Sequence, residues 1–175
     1  MSDFRDLFGN MGGPEDDRRH SSDELGPETE NRGYRALNEK EVRVVNVYEG
    51  IYDSPGAQPS RSTFVLLRDN RGREFKIFVL RDVALAISQG LENDPPDRPF
   101  THDLIKTMVE RLGAKVERIT IDDLWHDTFY AKIGLIQGSE SIEIDARPSD
   151  AIAIALRFRA PIYVAEAVLE ASQPD

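Results

Sequence analysis

The chain has 175 residues, 39% of them hydrophobic, and a formal net charge of -10 at pH 7. That length suits one domain with a tail, and the absence of cysteine excludes disulfides, thiolate metal sites and cysteine nucleophiles. No apolar run is long enough to span a membrane, and the first residues carry charges where a signal peptide would be apolar. We therefore expect a cytoplasmic protein that binds any polyanion through a local basic cleft.

The N-terminal stretch differs in composition from the rest of the chain. Residues 1–38 combine Gly, Pro and charged residues with few apolar ones, too few to offset the entropy of ordering the backbone. We predict a disordered acidic extension over 1–38, a folded domain over 39–170 and a short disordered tail over 171–175.

Hydrophobic periodicity indicates the elements of the folded domain. Alternating or β-rich runs predict strands over Val42–Tyr48, Thr63–Leu67, Glu74–Val79, Lys115–Ile121, Thr128–Ile136, Ser141–Asp145 and Ile162–Val164. Apolar residues at helical spacing predict helices over Asp82–Leu91, Asp103–Leu112 and from Pro148 to a stop at Ala160-Pro161. The segment Ile51–Ser62 contains Pro and Gly and is predicted to be a loop. Thr101 is expected to cap the second helix and Gly113 to end it.

The order of these elements indicates a weak internal repeat. Thr63-Phe64 resembles Thr128-Phe129, and the segment 84–87 (ALAI) resembles 151–154 (AIAI). The predicted fold class is therefore α+β, with two β-β-β-α units in pseudo-repeat joined by a helix, mixed or antiparallel sheets and packed helices.

Four polar residues crowd the predicted corner between the sixth strand and the last helix: Asp145, Arg147, Ser149 and Asp150. Carboxylate and hydroxyl oxygens are ligands that Mg²⁺ and Mn²⁺ prefer, so Asp145 and Asp150 are candidate metal ligands. Arg147 is a candidate phosphate clamp. The alternative interpretation is structural, with Ser149 and Asp150 serving the helix start and Arg147 pairing only with Asp145.

Three further residues are candidates on chemical grounds. His102 is the best general base, because imidazole exchanges protons near neutral pH, although a histidine near a helix start is more often structural. Thr128 and Tyr130 share one face of a strand, where Tyr130 could stack on a base or simply pack. Phe129 is expected in the core, and His126 is expected on a solvated turn.

The block from Arg98 to Val164 resembles the bifunctional nuclease (BFN) family. The matching pieces are RPFTHDLI, RLGAKVERITIDDL, DTFYAKI, IDARPSDAIAIALR and APIYV, in family order with little insertion. The resemblance implies an α+β domain, often dimeric or larger, in a family whose members degrade DNA and RNA. Family members usually carry a Gly-x-x-Glu-like segment before the first helix, and the segment Phe78–Asp82 replaces it here.

The resemblance implies a nuclease that hydrolyses DNA and RNA with low sequence selectivity, and the polar corner is compatible with that activity and with assistance by Mg²⁺ or Mn²⁺. The candidate catalytic residues are His102, Asp145, Arg147 and Asp150, and the candidate substrate-binding residues are Ser149, Thr128 and Tyr130. The expected partners are nucleic acid as substrate and further copies of the chain, as a homodimer or larger assembly, with no membrane. The rival hypotheses are a non-catalytic ligand- or partner-binding module on the same fold, and an oligomerisation element whose acidic tail recruits a partner.

Overall fold

The computed structural model describes residues 38–52, 60–92 and 96–173. Within them lie seven strands: β1 (Glu39–Tyr52), β2 (Ser60–Asp69), β3 (Glu74–Val79), β4 (Ala114–Trp125), β5 (Thr128–Gln137), β6 (Glu140–Ala146) and β7 (Ile162–Ala165). The helices are α1 (Arg81–Glu92), α2 (Thr101–Arg111), α3 (Pro148–Phe158) and α4 (Glu166–Ala171).

All seven strands belong to one mixed sheet in the order β3-β2-β1-β7-β4-β5-β6. Two three-stranded antiparallel units flank β7, which pairs antiparallel with β1 and parallel with β4. Each unit is followed by a helix, α1 or α3, and α2 joins the two. The predicted α+β class is confirmed, and the two units of the pseudo-repeat share a single sheet.

Turn chemistry explains where the hairpins close. Gly72 adopts a φ of 85° in the turn after β2, and the turn after β4 has positive φ at both His126 (47°) and Asp127 (59°). Positive φ at two central residues matches the twist of the flanking strands. Gly113, at a φ of 74°, lies just past the end of α2, as the sequence predicts.

Two local predictions differ from the structure. Thr101 is the first residue of α2 rather than its cap, and the carboxylate of Asp103 instead accepts the backbone N–H of Phe100 at 3.0 Å. The predicted loop is shorter than expected, because β1 continues to Tyr52 and β2 begins at Ser60. Residues 53–59 lie outside the described part of the chain, as does the predicted extension before Asn38, and the domain boundaries stay a prediction.

One hydrophobic core fills the space between the sheet and the helices. Val65, Ile119 and Ile121 from the strands meet Ile87 of α1, Ile152 of α3 and Leu169 of α4, and all six are fully buried. The sheet coils so strongly that Phe75 of β3 and Phe129 of β5 lie with ring centroids 6.2 Å apart, although four strands separate them. We call the side of the sheet that packs against the helices the helix face, and the opposite side the outer face.

Among the described residues, no helix combines the length and the apolar character needed to cross a membrane.

Candidate functional site

The first turns of α2 and α3 meet at a histidine–aspartate contact. Nε2 of His102 lies 3.3 Å from Oδ1 of Asp150. His102 is buried, with 8% of its surface exposed, and the Asp150 side chain is half-buried. A carboxylate beside one ring nitrogen fixes the orientation of an imidazole and the nitrogen that carries its proton.

The local sequence explains why both side chains lie at helix starts. Arg147 is extended (φ -68°, ψ 140°) and Pro148 follows as the first helical residue, a position that its fixed φ suits. At the start of α2, the backbone N–H of Phe100 donates to the carboxylate of Asp103, and this hydrogen bond closes the first turn of the helix, which contains His102. The partly positive N-terminal ends of two helices therefore converge on this contact.

Arg147 forms a hydrogen bond to the other carboxylate oxygen of Asp150. Its Nε donates to Oδ2 of Asp150 at 2.7 Å, and this hydrogen bond raises the pKa of the guanidinium. The Arg147 side chain is still 66% exposed, so part of its donor set faces solvent. Its ion pair is with Asp150 rather than with Asp145, the partner that the structural alternative names.

A second ion pair joins α2 to α3 behind the first. Nε of Arg157 donates to Oδ1 of Asp103 at 2.5 Å, and Nη1 donates to the carbonyls of Ala86 and Ala153. Burial alone would raise the pKa of Asp103, but the hydrogen bonds from Arg157 and Phe100 outweigh it, so the pKa lies below its ordinary value. Sequence reasoning missed this role of Arg157, because its partner is 54 residues away.

The remaining candidates lie on the outer face. Asp145 is the register partner of Lys132, whereas its neighbour Ile144 is the partner of buried Ile133. Because successive side chains of a strand alternate, Asp145 projects away from the helices. Thr128 and Tyr130 occupy the same face and are exposed, while Phe129 packs against the core. The structure thus brings together His102, Arg147 and Asp150, but not Asp145, Thr128 or Tyr130.

The donor set at Asp150 fits a divalent metal poorly. Both of its carboxylate oxygens already contact nitrogen donors, on His102 and on Arg147. Across the described ranges, no three His, Asp or Glu side chains converge as ligands, and Mg²⁺ and Mn²⁺ need several oxygens. Ser149 is half-buried beside this contact, and its side chain forms no hydrogen bond to a described residue.

A cleft lies elsewhere, between β1 and the C-terminal ends of α1 and α3. It has a volume of about 670 Å³ and is lined by Val42, Leu91 and Leu156 together with Glu41, Arg43 and Arg159. It contains no histidine and none of the predicted site residues.

Known proteins resemble this chain over most of its described length. A family model described as the bifunctional nuclease domain matches residues 65–175. An uncharacterized protein of Mycobacterium tuberculosis is 40% identical over 130 residues, which cover 74% of this chain and 73% of that protein. Bifunctional nuclease 1 of Oryza sativa subsp. japonica is 28% identical over 71% of this chain and 39% of the rice protein. Bifunctional nuclease 1 of Arabidopsis thaliana is 29% identical over 63% of this chain and 35% of that protein. The chain belongs to the bifunctional nuclease domain family.

Proposed function

We propose that this protein hydrolyses phosphodiester bonds in nucleic acid and that His102 transfers the proton. The observation that carries the proposal is the chain of contacts from His102 through Asp150 to Arg147 at two helix starts. The names of the rice and Arabidopsis relatives, both called bifunctional nucleases, support the reaction class.

Each residue has a defined role in this proposal. Asp150 accepts a hydrogen bond from Nε2 of His102, which leaves Nδ1 as the nitrogen that takes a proton from water. Arg147 offers its exposed guanidinium N–H groups to a phosphate oxygen. The N-terminal ends of α2 and α3 favour an anion at the same place. This local field supplies the positive potential that the net charge of -10 does not.

A non-catalytic role is the second candidate, and the same contacts favour it. His102 is almost fully buried, and both oxygens of Asp150 are engaged. In that case the contact only joins the starts of α2 and α3, and the site binds an anionic ligand without cleaving it. The departure from the family pattern at Phe78–Asp82 points in the same direction.

Several parts of the proposal rest on the sequence alone. These are assistance by Mg²⁺ or Mn²⁺, action on both DNA and RNA, low sequence selectivity, a cytoplasmic location, and assembly into a homodimer or larger homo-oligomer. Asp145 as a metal ligand and Ser149, Thr128 and Tyr130 as substrate contacts also stay predictions.

The deciding experiment compares cleavage by His102→Gln and Asp150→Asn with cleavage by the full-length wild type. The substrates are labelled single- and double-stranded DNA and RNA, each incubated with Mg²⁺, Mn²⁺ or EDTA. We expect His102→Gln to lower the cleavage rate by about 10²- to 10⁴-fold, since that is the usual contribution of a positioned acid or base. His126→Gln is the matched control, because His126 lies exposed on the turn after β4 and should retain the full rate.

Two results would contradict the proposal. Unchanged cleavage by both site variants would place the activity at another site or in a contaminant. An absence of cleavage by the wild type, with retained binding of the oligonucleotides, would favour the non-catalytic module.

A further inference from the structure

Three aromatic side chains form a continuous row across the outer face. Tyr48 of β1 is the register partner of Phe64 of β2, and Phe64 is the partner of Phe78 of β3. The rings of Tyr48 and Phe64 stack with centroids 5.5 Å apart, and those of Phe64 and Phe78 meet edge to face at 6.0 Å. We call these three residues the aromatic row.

The aromatic row lies open to solvent in the described structure. Tyr48 is 41% and Phe78 56% exposed, while Phe64 between them is half-buried. The described helices pack on the helix face, and Leu66, the next outer-face residue along β2 after Phe64, is 9% exposed. Single exposed apolar residues are ordinary, but a contiguous group of them is typical of a binding surface.

Cations flank the aromatic row on the same face. The next row on this face consists of the register partners Asn46, Leu66 and Lys76. The ammonium of Lys76 lies 5.1 Å from the ring centroid of Phe64. The row beyond it holds Arg43, Arg68 and Glu74, and Glu74 pairs with Arg68. On the other side, Phe78 lines a cleft of about 360 Å³ together with Arg61, Arg81 and Glu49, and Nη2 of Arg81 lies 3.7 Å from Oε1 of Glu49.

The other half of the outer face has the opposite character. Nζ of Lys132 lies 3.5 Å from Asp122 and 3.6 Å from Glu143, so its charge is already matched. Asp145 adds a further carboxylate on that side. A polyanion approaching the outer face is therefore directed toward β1–β3 and away from β4–β6.

We propose that the outer face of β1–β3 is a binding site for single-stranded nucleic acid. Unpaired bases stack on Tyr48 and Phe78, and the phosphates follow Lys76 and Arg43. A single strand fits this surface because its bases expose their faces, whereas a duplex buries them. The adjacent cations favour a nucleic acid over an apolar protein surface. The site uses none of the residues assigned to proton transfer, so binding here does not depend on hydrolysis at His102.

Fluorescence anisotropy with the full-length protein in EDTA tests this site. The probes are labelled 12-nucleotide single strands of DNA and RNA of mixed sequence, and the matching duplexes. We expect the single strands to bind more tightly than the duplexes, and Tyr48→Ala or Phe78→Ala to weaken binding about tenfold, as the loss of one stacked base does. Lys76→Ala should also reduce the slope of log affinity against log salt concentration by about 0.7, the value for one lost phosphate contact.

Trp125→Ala is the matched control, because it removes an aromatic side chain that is 54% exposed, close to the 56% of Phe78, outside the aromatic row. It should bind like the wild type, and Phe78→Tyr should restore binding because it retains a ring. Equal loss with Trp125→Ala, or no loss with Tyr48→Ala and Phe78→Ala, would overturn the proposal. Light scattering provides the last check: variants that change the mass of the particle while oligonucleotide affinity stays unchanged would identify a protein interface instead.

Discussion

Arg147 differs from the other two residues of the candidate site in its exposure. Its Nε is committed to Asp150, while the side chain remains 66% exposed. A guanidinium can hold a carboxylate with one N–H and a phosphate with the others, whereas a lysine ammonium acts as a point charge. The two functions of Arg147 therefore depend on its shape as well as its charge.

We predict that Arg147→Lys lowers cleavage about tenfold and Arg147→Ala on the order of a hundredfold or more, as for loss of a charge-stabilising donor. The loss in Arg147→Lys should appear mainly in KM, because the ammonium binds the phosphate less well while His102 still transfers the proton. Steady-state kinetics on a labelled oligonucleotide measure both constants. Arg111→Lys, at the exposed end of α2, is the control. Equal activity of wild type and Arg147→Lys would mean that Arg147 only neutralises Asp150.

The sequence predicts single residues of the site better than their partners. Local chemistry makes His102, Arg147 and Asp150 candidates, and the fold brings His102 and Asp150 together across 48 residues. Their pairing depends on how α2 packs on α3, which no local pattern encodes.

Asp145 is the opposite case, a residue near in sequence that the fold keeps apart. It is close to Asp150 along the chain, but the alternation of β6 places it on the outer face. That signal was present in the sequence, since Ile142 and Ile144 mark the side of the strand that faces the helices.

At the scale of elements, the strand bounds predicted from the apolar pattern leave out the polar residues that belong to a strand only through backbone pairing. β3 has the predicted bounds, whereas β1 begins three residues before Val42, because Glu39–Val42 pair with β7. A polar strand end beside another strand leaves no hydrophobic signal. The sequence does not predict α4 for a related reason, since its six residues are too few to show helical periodicity.

The contact between α1 and α3 depends on the missing side chain of Gly90. A Cβ at this position would lie 2.9 Å from Cβ of Leu156 and 3.3 Å from its Cδ1. The first of these atoms is fixed to the backbone of α3 and cannot rotate away, so the two helices would have to move apart. The helix propensity of Ala offers only about 1 kcal/mol in return.

We predict that Gly90→Ala destabilises the protein by about 1 kcal/mol, because an overpacking cost of about 1–3 kcal/mol exceeds the gain of about 1 kcal/mol in helix propensity. Urea unfolding followed by circular dichroism measures the change. Gly50→Ala is the control, because a Cβ there meets no atom within 4 Å. A gain in stability with Gly90→Ala would show that helix propensity outweighs the close contact.

At the scale of the whole molecule, two ion-pair groups connect elements that are distant in sequence. Arg73, after β2, pairs with buried Asp69 and donates to both carboxylate oxygens of Glu166 in α4, which is 93 residues away. The pKa of Glu166 is lowered by the hydrogen bond from Arg73. Burial alone would raise the pKa of Asp69, but hydrogen bonds from Arg73 and Arg71 lower it overall. Asp103, held by Arg157, is the third carboxylate of this kind.

The lowered pKa values of Asp69, Asp103 and Glu166 set the sign of the contribution that these three groups make to the pH dependence of stability. In the unfolded chain they take up protons near the ordinary values of 3.8 for Asp and 4.5 for Glu, whereas in the folded chain they do so only at lower pH. At these three carboxylates, acidification therefore favours the unfolded state. Each carboxylate contributes its full stabilisation above the ordinary pKa and loses it as the pH falls through the lowered, folded value.

Asp103→Asn removes one of these contributions. When the amide oxygen accepts the N–H of Phe100, the amide NH2 faces Nε of Arg157, so both the charge and the hydrogen bond opposite Arg157 are lost. We predict a cost of about 1–2 kcal/mol at pH 7, the usual range for a partly screened hydrogen bond between charged groups. The difference in the free energy of unfolding between wild type and variant should shrink as the pH falls below 3.8, the ordinary pKa of Asp. Urea unfolding between pH 7 and pH 3 measures it, with Asp97→Asn, an exposed aspartate, as the control. A gap that is constant over this range would mean that the packing of the side chain, and not its charge, joins α2 to α3.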